Sequence, residues 1–379
     1  MENIKSESPA ARDSSFELLR IIAMLMIVLY HFASHGGTVW ETEPLKAPYL
    51  WNNFLLMPGK VGVNIFVLIS GYFLIERQDA APSIKRILKF WGQVIFYSLG
   101  IYVLFVAFGL CEFDVKTTVK VILPITFAEW WFASTYFVMF LLHPYLNKFL
   151  SGIDKRAYQT LLILLTVCWC IVPTLTNRAF ESSNLAWFFF LYALAGYVRL
   201  YGLTSRVPAG FYWAAFVVVS ALTYLSSVIL TLLGNKWNFF SERVEYFYSA
   251  QTITILLMSV SLFLAFANLR LKYNRWINLI ASATFGIYLI HDNHFVRSWL
   301  WIDVFPKEQY QKSLMFIPYS IAVVAIVFAG CAVVDLIRKC TFEKVFMLLV
   351  DYWINVWSGP FRRVCEWGKA IVFGVDVSV

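Results

Sequence analysis

Long apolar runs alternate with short polar segments along almost the whole chain. The hydrocarbon core of a bilayer takes roughly 20 mostly apolar residues per helix. Runs near this length predict ten spans, at residues 15–34, 61–75, 87–109, 130–150, 160–176, 185–200, 211–233, 249–267, 276–291 and 314–336. A further run at residues 121–128 is too short to cross and is interpreted as re-entrant. The pattern therefore predicts an all-α fold, a polytopic transmembrane helical bundle of about ten helices.

The segment after the tenth predicted span has a different pattern. Its apolar residues recur mostly at helical spacing from Phe342 to Trp357, but Glu343, Lys344 and Asp351 interrupt them. An interfacial helix on the cytoplasmic leaflet is the favoured interpretation, and an eleventh span is the alternative. The predicted domains are a cytoplasmic N-terminal tail at 1–13, a transmembrane domain at 14–340 and a cytoplasmic amphipathic tail at 341–379.

Composition supports a membrane protein and indicates its orientation. Of the 379 residues, 60% are apolar and 14% are charged, whereas soluble domains are about 45–50% apolar and about 25% charged. With a cytoplasmic N-terminus, about two-thirds of the Lys and Arg residues fall in inner loops, as the positive-inside rule requires. Both termini are therefore predicted to be cytoplasmic. The net charge of +8 is attributed to topology and anionic lipid, and no nucleic-acid partner is expected.

The cysteines indicate no special chemistry. The six cysteines form no CxxC motif and no Cys/His spacing typical of a metal site. Cys168 and Cys170 lie in one apolar run, where a thiol packs as a small hydrophobic side chain. Neither a metal nor a disulfide is expected. The polar N-terminus also lacks a cleavable signal pattern, so the first span is expected to remain in the protein.

The first predicted span carries three ionisable residues, Glu17, Arg20 and His31. Ionisable side chains inside a membrane are costly and usually face a cavity or a partner. Arg20 and His31 are separated by about three helical turns, so they share one face about 16 Å apart. Each residue has a simpler explanation. Ser14 and Glu17 form a capping-box pattern, Arg20 can extend to the headgroups, and His31 can be a structural histidine. Their common face favours a chemical role.

The sequence around these residues resembles a known family. Residues 16–32, FELLRIIAMLMIVLYHF, are similar to the opening of the membrane acyltransferase-3 family, integral-membrane O-acyltransferases acting on cell-envelope glycans. That family places an acidic residue three before an Arg and a His eleven after it. The resemblance continues in GVNIFVLISGYFLI at 62–75, the basic loop at 83–89, Trp-Trp-Phe at 130–132 and TFGIYLIH at 284–291. It covers roughly Phe16 to Leu336 in order.

The resemblance implies a multi-pass enzyme of a bacterial plasma membrane. Such an enzyme transfers an acyl group, most often acetyl, from cytoplasmic acyl-CoA to a hydroxyl. The implied acceptor is a cell-surface polysaccharide or its lipid-linked precursor. The implied partners are therefore acyl-CoA, an envelope glycan and membrane lipid. Direct attack by the acceptor is favoured, because no Ser, Cys or Asp motif indicates a covalent acyl-enzyme.

The site residues are assigned from this resemblance together with side-chain chemistry. Because histidine titrates near neutral pH, it is suited to take a proton from an attacking hydroxyl. The predicted catalytic residues are His31, Arg20 and Glu17. The predicted acyl-CoA site comprises Arg20, Lys85, Arg86, Lys89 and Ser70. The predicted acceptor site comprises His35, Asn64, Trp131, His291 and Asp292. Simpler roles remain open, such as an aromatic belt for Trp131 and close helix packing for Ser70.

The chain departs from the family pattern at two positions. Asn64 stands where the family has an Asp, which retains an acceptor but loses the charge. Arg86-x-x-Lys89 replaces the family's Arg-x-x-Arg. Lysine keeps the positive charge but lacks the bidentate fork of arginine, so this loop is expected to contact phosphate less specifically.

Two other classes of membrane protein also place charges within the bilayer. A lipid-linked glycan transporter or other envelope carrier is the leading alternative, yet the chain shows no hydropathy repeat and no paired broken helices. A glycan polymerase is expected to carry a large external loop with basic catalytic residues. The longest predicted outer connection, at residues 34–60, has lysines only at Lys46 and Lys60. Consumption of acyl-CoA separates a transferase from both alternatives.

Overall fold

The computed structural model describes residues 13–35, 45–77, 81–202 and 207–356. Within these ranges all regular structure is helical and no strand is present, which confirms the predicted all-α class. Seven helical segments of the described chain are long and apolar enough to cross a membrane: Ser14–Ser34, Ala47–Leu74, Ile84–Ala107, Lys155–Thr176, Ala209–Gly234, Asn238–Ala267 and Phe316–Val356.

The helices are numbered in chain order. They are α1 (Ser14–Ser34), α2 (Ala47–Leu56), α3 (Pro58–Leu74), α4 (Ile84–Ala107), α5 (Val115–Ile122), α6 (Trp131–Gly152), α7 (Lys155–Thr166), α8 (Val172–Thr176), α9 (Asn184–Tyr201), α10 (Ala209–Gly234), α11 (Asn238–Ser241), α12 (Ile253–Ala267), α13 (Arg275–Ser282), α14 (Thr284–His291), α15 (His294–Ser298) and α16 (Phe316–Arg338). Short π-helical segments lie at Val167–Ile171, Trp299–Val304 and Lys339–Glu343.

Three of the ten predicted spans are helical but fall outside the seven apolar segments. They correspond to α6, α9 and the α13–α14 pair. The span predicted at 276–291 is broken, because α13 ends at Ser282 and α14 begins at Thr284. The count of ten and the cytoplasmic termini stay predictions, since residues 1–12 and 357–379 lie outside the described ranges.

Two segments were not anticipated in their observed form. The helix α2 starts with Pro48 at its first turn and continues through Met57 into α3, so the apolar segment Ala47–Leu74 is longer than the span predicted at 61–75. The helix α5 overlaps the start of the run predicted as re-entrant, and the chain then passes through turns with a positive φ at Ala128. Apolar length alone could not predict either segment, because α2 contains Asn52 and Asn53 and α5 is shorter than a bilayer crossing.

The chain beyond α16 continues as a helix as far as residue 356 and packs against α4. The rings of Phe96 and Phe342 lie with their centroids 4.5 Å apart, and the Phe346 ring covers Gly92 so closely that a β-carbon there would overlap it. Lys85 forms an ion pair with Asp351 at 2.6 Å. The described part of the predicted amphipathic tail is therefore attached to the helical bundle, and its placement on a leaflet stays a prediction.

The helix α1 lies at the centre of the described bundle. It packs against α2, α3, α12, α13, α14 and α16, and α3 in turn packs against α9. Glycines permit these approaches. A β-carbon at Gly62 would overlap the carbonyl oxygen of Ala23 on α1, and one at Gly71 would lie 2.8 Å from the carbonyl oxygen of Tyr192 on α9. Small residues allow such close contact between membrane helices, and this packing holds one face of α1 towards a cavity.

Candidate active site

A cavity of about 890 Å³ lies beside α1. Its walls come from α1, α3, α4, α6, α13 and α14, together with the π-helical segment Lys339–Glu343. Arg20 and His31 both line it, so the shared face predicted from their spacing faces this space. The cavity has the volume typical of small-molecule sites. It is therefore large enough to bring a flexible substrate from Arg20 towards His31.

Part of the cavity wall is aromatic. The ring of Phe90 stacks with Tyr136 and Phe285 at centroid distances of 5.8 and 4.9 Å, and all three residues line the space. Offset stacking of this kind is a favourable arrangement of aromatic side chains. The cavity therefore combines an aromatic part of its wall with the polar side chains of Arg20 and His31.

The start of α1 fixes the position of Arg20. The Asp13 side chain caps the helix by accepting a hydrogen bond from the Ser15 amide. The Glu17 carboxylate accepts a hydrogen bond from Arg20 Nη1 at 2.7 Å. The capping-box alternative for Glu17 is therefore not realised, because Asp13 is the N-cap and the Ser14 hydroxyl donates to Asn278. Glu17 instead holds the guanidinium of Arg20 at the cavity wall.

His31 has a defined tautomer because of its neighbour on α14. His291 Nδ1 lies 2.6 Å from the carbonyl oxygen of Ile287. A carbonyl oxygen only accepts, so His291 Nδ1 carries the proton and its Nε2 has a free lone pair when the ring is neutral. His31 Nδ1, 2.9 Å from that Nε2, must then be the donor. Neutral His31 consequently keeps the lone pair on its own Nε2, the nitrogen not used in this contact.

A carboxylate lies beside this histidine pair. Asp292 Oδ1 is 3.7 Å from His31 Nδ1 and 3.6 Å from His35 Nε2. Arg297 Nη2 approaches the same oxygen at 2.8 Å. The Asp292 side chain is only 4% exposed, and a buried carboxylate with cationic neighbours is favoured in its charged form. A negative charge at this position stabilises an imidazolium on His31.

The same residues form the one cluster of potential metal ligands within the described chain. The ligand atoms of His31, His35 and Asp292 all lie within 4.8 Å of one another. A divalent ion there would meet the guanidinium of Arg297 on the same carboxylate oxygen. Like charges at this distance repel strongly in a buried site. The geometry therefore favours an Arg–Asp–His network, and the expectation that no metal is bound stays a prediction.

Comparison with known families assigns the chain. The family model Acyl_transf_3, described as an acyltransferase domain, matches residues 13–336. The chain belongs to this acyltransferase family. It is thus a membrane acyltransferase with several apolar helices, and the matched region contains every residue of the cavity except Lys339 and Glu343. No curated protein and no solved structure matches the chain.

The acyltransferase gathers most of the predicted site residues around one space. The cavity is lined by Glu17, Arg20, His31, Ser70, Lys89 and Trp131. His35, His291 and Asp292 lie behind or beside His31. Lys85 and Arg86 are exposed and do not line the cavity. Ser70 donates to the Phe66 carbonyl, and its hydroxyl oxygen lies 3.2 Å from the Tyr136 hydroxyl, so the Ser70 hydroxyl already has partners.

Asn64 is placed away from the cavity lining. Its side chain accepts a hydrogen bond from Trp187 Nε1 at 3.0 Å and donates to the Ala250 carbonyl and the Ser259 hydroxyl. The residue is fully buried. An amide with these partners joins α3 to α9 and α12, so the observed contacts support a packing role at this departure from the family pattern.

Sequence reasoning missed several cavity residues of the acyltransferase. Gln93, Arg275, Lys339 and Glu343 line the same cavity as Arg20. The basic character of the segments after α12 and α16 was the only signal in the sequence for Arg275 and Lys339. No local pattern indicated Glu343, because its position depends on how residues beyond α16 pack against α4.

A buried lysine caps the other end of α1. Lys307 Nζ donates to the carbonyl oxygens of Phe32 and Ala33 at 3.1 and 2.8 Å, and the residue is 2% exposed. A cation at a helix C-terminus interacts favourably with the last carbonyl groups. This contact fixes the turn of α1 that carries His31.

Lys307 predicts a pH dependence of stability. Burial lowers the pKa of Lys307 from its ordinary value of 10.5 to about 8. Between these values the folded protein binds fewer protons than the unfolded chain, so the Lys307 contribution to stability increases as the pH rises. The melting temperature of the wild type, relative to Lys307→Met, is therefore expected to rise from pH 7.5 to pH 9.5 by roughly 5 °C. Thermal unfolding of both purified proteins measures this difference. A constant or falling difference would contradict the assignment.

Proposed function

We propose that this acyltransferase moves an acyl group, with acetyl as the expected group, from cytoplasmic acyl-CoA to a hydroxyl of a cell-surface polysaccharide or its lipid-linked precursor. The observation that carries the proposal is the single cavity with Arg20 at one end and the oriented histidine His31 at the other. The family establishes acyl transfer in general. The donor, the O-acyl product and the glycan acceptor belong to the proposal, as does a bacterial plasma membrane.

The cationic end of the cavity suits a phosphate-bearing donor. Arg20, Lys89, Arg275 and Lys339 all line it. Charge-assisted contacts to phosphate oxygens are among the strongest hydrogen bonds in proteins. We assign Arg20 and Lys89 to the donor, because both were predicted from the sequence and both reach the cavity. The long pantetheine arm would lie along the aromatic wall of the cavity, with the thioester near His31.

The chemistry at the other end follows from the tautomer of His31. Its Nε2 lone pair removes the proton from the acceptor hydroxyl as the oxygen forms a bond to the thioester carbonyl carbon. The C–S bond then breaks, and the CoA thiolate takes the proton from the His31 imidazolium. The products are an ester and free CoA. His291 keeps the ring in the required tautomer, while the Asp292 carboxylate stabilises the transient positive charge.

The acceptor is proposed to enter beside His31. Trp131 lines the cavity and is 38% exposed, and an accessible indole face is suited to stacking against a sugar ring. His35 contacts the same carboxylate as His31 and is partly exposed. These two residues are therefore proposed to orient the glycan, whereas Asn64 is left with its packing role.

Arg20 predicts a specific defect in donor use. Replacing Arg20 with alanine removes a charged contact and is expected to raise the KM for acetyl-CoA by roughly 10-fold or more. The KM for the glycan should change little, because the acceptor is proposed to lie at the far end of the cavity. Steady-state rates of CoA release by the purified protein measure both constants.

The same assay separates the proposal from its main rival. A carrier of lipid-linked glycans would consume no acetyl-CoA, with or without the acceptor. Unchanged donor kinetics in Arg20→Ala would contradict the assignment of Arg20, and a complete absence of CoA release by the wild type would contradict the proposed function.

A further inference from the structure

Glu343 fills the cationic end of the cavity with the protein's own carboxylate. Its Oε1 lies 2.6 Å from Lys89 Nζ, and its Oε2 lies 2.9 Å from Arg338 Nη2. Lys89 and Glu343 both line the cavity, and the Glu343 side chain is 15% exposed. An anion is therefore already bound at the position where Lys89 would meet a phosphate.

The carboxylate is held by two cations. Glu343 Oε2 and Arg338 Nη2 are both buried and form an ion pair at 2.9 Å, although the geometry is not that of a good hydrogen bond. A phosphate carries more oxygens and more negative charge than a carboxylate, so it could engage more of the surrounding donors.

Further cations face the same part of the cavity. Lys339 and Arg275 line it from the end of α16 and the start of α13. Lys339 donates to the Ser282 carbonyl oxygen, and its Nζ is 3.6 Å from Asp335 Oδ2. The Asp335 side chain also accepts from Arg338 Nε at 2.8 Å. A buried carboxylate thus holds the basic residues Arg338 and Lys339 next to the Glu343 position.

We propose that, in the absence of donor, the Glu343 carboxylate occupies the position that a phosphate group of the acyl donor takes when the donor binds. Donor phosphate displaces the Glu343 carboxylate from Lys89 and is then bound by Lys89 together with Lys339 and Arg275. No covalent bond changes in this exchange. The inference rests on the proposed function, which supplies acyl-CoA as the donor, and it adds a residue whose charge weakens donor binding. Glu343 is therefore expected to set donor affinity without taking part in the acyl transfer.

The structure offers a matched control on the same helical segment. Asp351 also pairs with a lysine of α4, Lys85, at 2.6 Å. Lys85 and Lys89 are both about half exposed, but Asp351 is 45% exposed where Glu343 is 15% exposed, and neither Lys85 nor Asp351 lines the cavity. The substitutions Glu343→Gln and Asp351→Asn each remove one negative charge from the same part of the chain. Only the first removes a charge from the anion position.

The test is the Kd of acetyl-CoA for the full-length protein in nanodiscs of zwitterionic lipid. Glu343→Gln is expected to bind acetyl-CoA roughly five-fold more tightly than the wild type, because a negatively charged carboxylate no longer competes with phosphate for Lys89. Asp351→Asn is expected to match the wild type. Lys89→Gln is expected to bind roughly ten-fold more weakly, because a charge-assisted contact is lost. Tighter binding is informative because general damage to the fold would weaken binding.

Equal or weaker binding by Glu343→Gln would overturn the inference, and so would an equal gain in Asp351→Asn. A repeat with anionic lipid distinguishes the source of the phosphate. If anionic lipid removes the advantage of Glu343→Gln, the position belongs to a lipid headgroup and the donor assignment is wrong. Binding is measured without turnover. A protein that follows the expected pattern but transfers no acyl group would contradict the proposed function and leave the anion site supported.

Discussion

Replacement of His31 with alanine is expected to lower acyl transfer by about 10²- to 10⁴-fold, the range for loss of a general base. The imidazole is held by His291 with its Nε2 lone pair available, and Asp292 lies 3.7 Å from the other ring nitrogen. No other histidine lines the cavity within the described chain. The initial rate of CoA release by purified protein, with acceptor present, measures the loss.

His294 supplies a control for this experiment. It is about half exposed, pairs with Glu129 at 3.3 Å and does not line the cavity. His294→Gln is expected to retain the wild-type rate, and acetyl-CoA should still bind to His31→Ala. A His31→Ala rate within about ten-fold of the wild type would be too fast for loss of a general base. That outcome would exclude His31 from the catalytic role.

Replacement of Gly62 with alanine is expected to produce a large loss of stability. The new β-carbon would overlap the Ala23 carbonyl oxygen and lie 3.0 Å from Ile27 Cγ1. The backbone carbonyl of Ala23 is fixed by the helical conformation of α1, so α1 and α3 must move apart to relieve the overlap. Overpacking of this kind costs about 1–3 kcal/mol, occasionally more. The melting temperature should fall by roughly 5 °C or more, and acyl transfer should fall with it because α1 carries Arg20 and His31.

Gly100 is the matched control for this substitution. It lies inside α4, and a β-carbon there would have no neighbouring atom within 4 Å. Alanine is favoured over glycine within a helix by about 1 kcal/mol, so Gly100→Ala is expected to be neutral or slightly stabilising. Equal melting temperatures for the two variants would show that the approach of α3 to α1 is looser than described.

The spacing of Arg20 and His31 was predictable because helical periodicity is a local property. Three turns of one helix place both side chains on the same face whatever surrounds it. The structure adds the cavity that this face lines. The role of Glu17 was only partly predictable. Its sequence pattern fitted a helix cap, whereas in the structure Asp13 is the cap and Glu17 pairs with Arg20.

The partners of His31 required tertiary structure. His291 and Asp292 were noted as neighbours near the acceptor, but nothing local showed that His291 accepts a hydrogen bond from His31. The two histidines are 260 residues apart in sequence, and their contact depends on the packing of α14 against α1. Arg297 on α15, which completes the network, carried no sequence signal at all.

The donor end shows the same limit. The lysines of α4 were predicted as phosphate contacts from the family resemblance and the charge of the basic loop, yet both form ion pairs with the segment beyond α16. Charge counting along the sequence cannot show which cations are already neutralised, because long side chains find partners from distant helices. Lys89 and Lys85 have identical chemistry, and only their positions relative to the cavity distinguish them.

The catalytic assignment of His31 is best tested on the O-acyl ester content of the surface glycan. Cells should carry the wild type or His31→Ala at matched membrane levels. We expect esterified glycan in wild-type cells and loss of those esters in the variant. Identical ester content in the two strains would contradict the central claim that His31 catalyses acyl transfer to this glycan.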